Sequence, residues 1–297
     1  AVDAFKVTDA DGSLLGIFMT DYFPRASKRG GAWMTEFRPQ YIDKDGNDVR
    51  PVIINVGNLT APTDSTPGLF TIDEVETAFH EFGHALHGLV TKCTYPSVSG
   101  TSVARDFVET FSQFNENWAF QPEILELYAK HYKTGEVIPD SLVAKINSAH
   151  KFNQGFMTSE LCAASILDMK WHLLNEEDLA AMSEGDQAAN VAAFEDKVCK
   201  EMGLPEQIIP RYRTTYFNHI FNSGYSAGYY SYLWAEVLDK DAFEYFKQQG
   251  IYNPEVAASF RKNLMERGGS EEPMVLYMRF RGAEPDPGAL LKARGLE

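Results

Sequence analysis

The run AFHEFGHALHGL places His80, Glu81 and His84 in the pattern H-E-x-x-H. On a helix, residues four apart differ in direction by about 40°, so the two imidazoles can hold one metal ion together. Glu81 lies about 60° from His84 on the same side and set back from the ion. That is where a base for a metal-activated water belongs. Catalytic zinc takes three protein ligands and leaves one position open, so a third ligand is required. Glu109 in RDFVETFSQ is the best candidate, 25 residues beyond His84, because a return helix after such a loop brings a carboxylate back to the metal. His87 is a rival: it points within about 20° of His80, but it sits two turns away, roughly 10 Å along the axis. A place beside the ligands or lining a cleft suits it better. Burying two histidines and a glutamate together has little purpose without a metal, since desolvating such groups costs several kcal/mol.

A second constellation lies far downstream in YFNHIFNSGYSAGYYSYLW. It holds His219 and the tyrosines Tyr225, Tyr229, Tyr230 and Tyr232 around a turn at Ser223-Gly224. Tyrosine hydroxyls and an imidazole facing a polarised carbonyl supply donors to a developing oxyanion, worth about 3 kcal/mol per donor. Aromatics at helical spacing also serve as packing, and Tyr230 reads that way; spacing alone does not decide the others.

The elements that must position these residues follow from periodicity and turn chemistry. The first sixty residues are β-rich: Asp11-Gly12 and Asp45-Gly46 are hairpin turn signals between LLGIFMTDYF and PVIINVGN, with a short basic glycine loop, SKRGGAW, between them. From Thr71 the pattern is helical to the end of the chain. Thr71 and Glu74 have capping-box spacing, and Ile72, Val75, Phe79, Phe82, Leu86 and Leu89 repeat at helical intervals, which predicts a helix of about twenty residues despite Gly83. Further helices are predicted over 106–120, from Pro122 over 122–132, and over 141–154, 158–174, 187–202, 226–249 and 254–267, the last two ended by Gly250 and Gly268-Gly269. The fold class expected is mainly α with a small β-sheet near the N-terminus, as one domain over 1–297 with its metal site at 80–109.

Composition narrows the partners. The chain has 297 residues, 44% of them hydrophobic, enough for a substantial core. Lys+Arg is 27 against Asp+Glu 42, a net charge of −15. That balance argues against nucleic acid or an anionic membrane surface as partner and favours neutral or cationic ligands. No apolar run reaches the length of a membrane span and the start is not a signal peptide, so a soluble chain is expected. Cys93, Cys162 and Cys199 are odd in number and widely spaced, which fits reduced thiols in a cytoplasmic protein.

The motifs FHEFGHALHG, SGTSVARDFVE, SQFNENWA and HIFNSGYSAGYYSYLW together resemble the M3 family of zinc metallopeptidases, with GIFMTDYFPRASKRGGAW and FRGAEPDPGALL extending the likeness over the chain. The nearer branch is the peptidyl-dipeptidases, also called dipeptidyl carboxypeptidases, because Tyr225 follows His219 at an interval of six positions. The resemblance implies a zincin-like metallopeptidase catalytic domain. In it His80, His84 and Glu109 hold one Zn2+ and Glu81 is the general base. It implies that Tyr232 stabilises the oxyanion, that His219 and Tyr225 contact substrate near the scissile bond, and that Tyr229 is a weaker substrate contact. The implied activity is hydrolysis of short peptides with release of C-terminal dipeptides; the alternatives are an oligopeptide endopeptidase and a peptide-binding fragment that is inactive alone. Two departures stand out. Thr110-Phe111 replaces an apolar residue and Pro after the ligand glutamate, from which a small change in helix packing and no loss of metal is expected. The chain also matches only the C-terminal, metal-bearing half of such proteins, and its first residue is Ala. A missing N-terminal helical half, which forms the opposite wall of a channel in the family, is thus an expected partner.

Overall fold

Among the residues that the computed structural model describes, 2–296, six strands come first: β1 (Asp3–Thr8), β2 (Leu14–Asp21), β3 (Trp33–Arg38), β4 (Tyr41–Ile42), β5 (Asp48–Val49) and β6 (Val52–Val56). Both Asp-Gly signals make hairpins. β1 pairs antiparallel with β2 around Asp11-Gly12, and β4 with β5 around Asp45-Gly46, where Gly12 and Gly46 take φ of 85° and 82°. Such positive φ is the conformation glycine adopts without steric cost. The main sheet has the order β1-β2-β6-β3. β6 runs parallel to β2 and antiparallel to β3, so the sheet is more than a series of hairpins. Along β2, Gly16, Phe18 and Thr20 alternate inward at period two, as a strand with one covered face requires.

The remainder is helical: α1 (Ile72–Val90), α2 (Arg105–Glu116), α3 (Pro122–Tyr128), α4 (Asp140–Ala149), α5 (Gln154–His172), α6 (Glu176–Ser183), α7 (Gln187–Glu201), α8 (Asn218–Asn222), α9 (Ser231–Gln249), α10 (Pro254–Asn263), α11 (Pro273–Arg281) and α12 (Pro287–Arg294). The fold class is mainly α with a small N-terminal sheet. α6, α8, α11 and α12 are not among the helices predicted from periodicity, and each has nine residues or fewer. The helix predicted from residue 226 begins at Ser231, because Ala227 takes φ 51° in a turn before it. None of these helices is long and apolar enough to cross a membrane.

The chain groups into two compact units where the sequence reading has one domain. The first runs to Ile146 and resumes over Ala235–Leu290; the second comprises Asn147–Trp234 and the segment after Leu290. In the first unit α1 lies on the sheet, with Phe18 and Ile53 against Ala85 and Leu89. A Cβ on Gly88 would collide with Ile53 Cδ1, so any larger residue there would force the Ile53 side chain to shift. α1 is started by the predicted capping box: Thr71 Oγ1 accepts from the Glu74 N–H at 3.2 Å and Glu74 Oε2 accepts from the Thr71 N–H at 2.8 Å. On its other side α1 meets α2, whose Phe107, Phe111 and Phe114 sit at i, i+4 and i+7 and bury into a cluster with Phe243 and Phe246 of α9, Phe260 of α10, and Leu276 and Phe280 of α11. At about 2–3 kcal/mol per buried Phe, this cluster is the main anchor of α2.

In the second unit, Leu161 and Ala164 of α5 pack with Phe217, Ile220 and Tyr229, and Trp171, Tyr212, Tyr232 and Leu233 flank them. Asp168 of α5, fully buried, organises the turn before α9. Its carboxylate accepts from the N–H groups of Ala227 and Tyr229 at 2.9 and 2.8 Å, and it pairs with His172 at 2.8 Å.

Candidate active site

The predicted metal ligands converge. His80 and His84 occupy successive turns of α1, their rings 5.1 Å apart and nearly perpendicular. Glu109 of α2 places Oε2 3.2 Å from His80 Nε2 and 3.1 Å from His84 Nε2. One donor atom from each residue lies within 4.8 Å of the others. Two neutral imidazoles and a carboxylate are the donor set of an open catalytic zinc site, so the residues fit a divalent ion.

Two features of α1 and α2 allow this approach. At Gly83 a Cβ would stand 2.5 Å from the Phe111 carbonyl oxygen and 2.7 Å from Ser112 Cα, so only glycine lets the helices come this close. Asn115 Nδ2 donates to the Phe79 carbonyl at 2.6 Å, tying the helices beside the ligands. Ser112 Oγ donates to Glu109 Oε2 at 2.9 Å and aims that carboxylate.

Glu116, seven residues beyond Glu109 on the same face of α2, holds the other side of His80: its Oε1 lies 2.6 Å from Nδ1. A residue seven beyond a ligand shares its helix face, but spacing within α2 gives no sign that His80 of α1 lies opposite. Burial works against a charge on His80, but the carboxylates of Glu109 and Glu116 outweigh it and push its pKa well above the ordinary value. Glu109 is also penalised by burial; the charge of His84 and hydrogen bonds from both histidines hold its carboxyl well below the usual range.

Glu81 is 7% exposed, and its Oε2 has no hydrogen-bond partner among the described residues. Burial pushes its pKa up, offset in part by His80 and His84. His87 is not beside the ligands or in a cleft. It is fully buried with its ring 3.9 Å from that of Phe111, and burial pushes its pKa down to about 3. Two turns along α1 it has passed the ligands and lies under α2, so its direction around the helix was right and its neighbour was not foreseen. Thr110 and Phe111, which depart from the family pattern, are both buried, and Glu109 between them and the metal face keeps its aim.

The second constellation assembles within the second unit. Tyr225 stacks on Tyr232 with centroids 5.2 Å apart and an interplanar angle of 15°, while His219 lies 6.0 and 6.2 Å from them. Tyr229 is 3% exposed, its ring 5.5 Å from that of His219 and 6.1 Å from that of Tyr212; Tyr230 is exposed. Asp168, Arg211 and Tyr212, which hold or border this group, carried no signal in helical periodicity.

This chain is similar to dipeptidyl carboxypeptidase of Salmonella typhimurium, 43% identical over 298 residues that take in 100% of this chain and 42% of that protein. It is 40% identical to oligopeptidase A of Escherichia coli over 295 residues, 99% of this chain and again 42% of that protein. The chain therefore spans about two-fifths of the length of the curated relatives it matches. Among solved structures, PZ peptidase A with inhibitor 2 covers 93% of this chain and 42% of its own at a TM-score of 0.55 and 15% identity. A putative oligoendopeptidase F from Bacillus anthracis gives the same score and identity over 39% of its length. Those two likenesses speak for the fold. The sequence itself answers the question of descent, because the model of Peptidase family M3 matches residues 1–296, and the chain belongs to that family.

Proposed function

We propose that this chain is the catalytic part of a zinc-dependent peptidase that hydrolyses short peptides and releases C-terminal dipeptides. The observation that carries the reading is the convergence of His80, His84 and Glu109 with the Glu81 carboxylate on the same helix. A zinc ion held by His80, His84 and Glu109 would supply an acidified water and polarisation of the scissile carbonyl. Glu81, raised by burial, is suited to take the proton of the attacking water and return it to the leaving amine. Glu116 engages His80 Nδ1 and leaves Nε2 as the atom that would hold the ion. His219 and Tyr232 serve as donors to the negative charge that develops on the carbonyl oxygen, Tyr225 contacts the peptide beside them, and Tyr229 is a weaker substrate contact.

Dipeptide release is supported by the 43% identity to dipeptidyl carboxypeptidase and by the interval between His219 and Tyr225. Endopeptidase action on oligopeptides is the second reading, favoured by the 40% identity to oligopeptidase A. A helical N-terminal half as partner is supported by the two-fifths coverage of the relatives. It is also supported by an apolar groove of about 680 Å³ in the first unit, lined by Leu69, Phe70, Ile72, Tyr128 and Leu142. The three free thiols suit a reducing, cytoplasmic setting. The test is hydrolysis of a fluorogenic peptide by the chain, alone and with the N-terminal half of a relative, before and after chelation. Activity that chelator removes and zinc restores is expected; activity indifferent to chelator would refute the metal-dependent reading.

A further inference from the structure

We propose that Arg211 anchors the free C-terminal carboxylate of the peptide, an inference that rests on the dipeptide-release reading. The residues Arg211-Tyr212-Arg213 carry two arginines with different surroundings. Arg213 is neutralised: its Nε lies 2.5 Å from Glu195 Oε1, and the other oxygen of that buried carboxylate accepts from the Thr214 N–H and Oγ1 at 2.9 and 3.0 Å. Arg211 has no carboxylate within 4.0 Å among the described residues, in a chain where Asp and Glu outnumber Lys and Arg by 42 to 27. Glu160 contributes only a weaker attraction from further off.

The guanidinium is nevertheless held in place. It lies 5.9 Å from the centroid of the Tyr212 ring, whose own centroid is 6.1 Å from that of buried Tyr229 in an edge-to-face arrangement. The Tyr212 ring stacks on Phe217 at 4.9 Å and lies 5.1 Å from His219. Arg211 thus borders, within the second unit, the same ring cluster that carries His219, Tyr225 and Tyr232. The residue is solvent-exposed, so an incoming anion can reach it. A fixed guanidinium offers a planar fork that matches a carboxylate through two parallel N–H donors, which an ammonium cannot reproduce. A peptide held by its terminal carboxylate has its register fixed relative to the catalytic groups, and this sets how many residues are released.

The test compares Arg211→Gln and Arg211→Lys with the parent chain, each loaded with zinc. The ligands are the dipeptide Ala-Phe and its C-terminal amide, followed by calorimetry, with cleavage of a longer peptide in acid and amide forms as a second reading. The parent is expected to prefer the acid by about tenfold to a hundredfold. That ratio should collapse toward one in Arg211→Gln and be partly kept in Arg211→Lys, with unfolding midpoints near that of the parent. A parent-like ratio in Arg211→Gln would overturn the role of Arg211 and leave dipeptide release standing. Equal binding of acid and amide by the parent would overturn dipeptide release itself, and the anchor with it. Should Arg211→Gln not fold, an undiminished ratio in Arg211→Lys would equally overturn the bidentate anchor.

Discussion

Glu116 meets His80 on the side away from Glu109, and the 2.6 Å contact at Nδ1 leaves Nε2 as the atom offered to a metal. Removing such a partner of a ligand histidine weakens metal affinity by about tenfold to a hundredfold. Glu116→Ala should therefore lose zinc to a competing chelator at correspondingly lower chelator concentration, and Glu116→Gln, which keeps an acceptor, should lose less. Unchanged affinity in both would remove Glu116 from the site. His80→Ala and Glu109→Ala should fail to retain zinc through purification, measured by elemental analysis. At this scale the sequence was most informative for residues whose role depends on spacing along one helix. His80, Glu81 and His84 were legible that way, and Glu109 required only the expectation of a return helix. His87 was misplaced because an angle around a helix says nothing about which neighbour covers it, and Phe111 of α2 covers it.

Helix contact at Gly83 sets how far Glu109 stands from the two histidines. Gly83→Ala would press a methyl against the Phe111 carbonyl and Ser112 Cα, and such overpacking costs about 1–3 kcal/mol. A fall in the urea midpoint together with weaker zinc binding is expected; a variant as stable as the parent would show that α2 moves away freely. In the second unit Asp168 anchors the turn that presents Tyr225 and Tyr229. Asp168→Ala leaves the buried Tyr229 N–H without its acceptor and takes the nearer acceptor from the Ala227 N–H, and should destabilise the chain by about 2 kcal/mol, read by chemical unfolding. The turn also explains why α9 starts later than its sequence suggests. The aromatic run before Ser231 keeps helical spacing, but a carboxylate some sixty residues earlier in the chain bends the backbone at Ala227. The capping box of α1 was readable because all its parts are local, whereas β3 and the parallel pairing of β6 with β2 depend on partners distant in sequence.

Over the whole molecule the charge of −15 includes acids that folding buries. Burial pushes Glu76 up to about 7, helped by the charges of Glu116 and Asp73, and pushes Asp239 up to about 7 against the attraction of Lys240. A carboxyl whose folded pKa exceeds its unfolded value binds its proton more tightly in the folded state. Its contribution to stability is thus full below about pH 4 and is lost as pH rises through about 7. Melting temperature should fall between pH 5 and pH 8, and Glu76→Gln should reduce that fall; an identical pH dependence in the variant would contradict the assignment. The family match across the chain and the convergent ligands support one proposal: Glu81 moves the proton at a metal site built by His80, His84 and Glu109. Peptide turnover and bound zinc, measured on the same preparation of Glu81→Gln, test it most directly. The account predicts one zinc per chain with hydrolysis reduced to background, and turnover at the parent rate with zinc in place would contradict it.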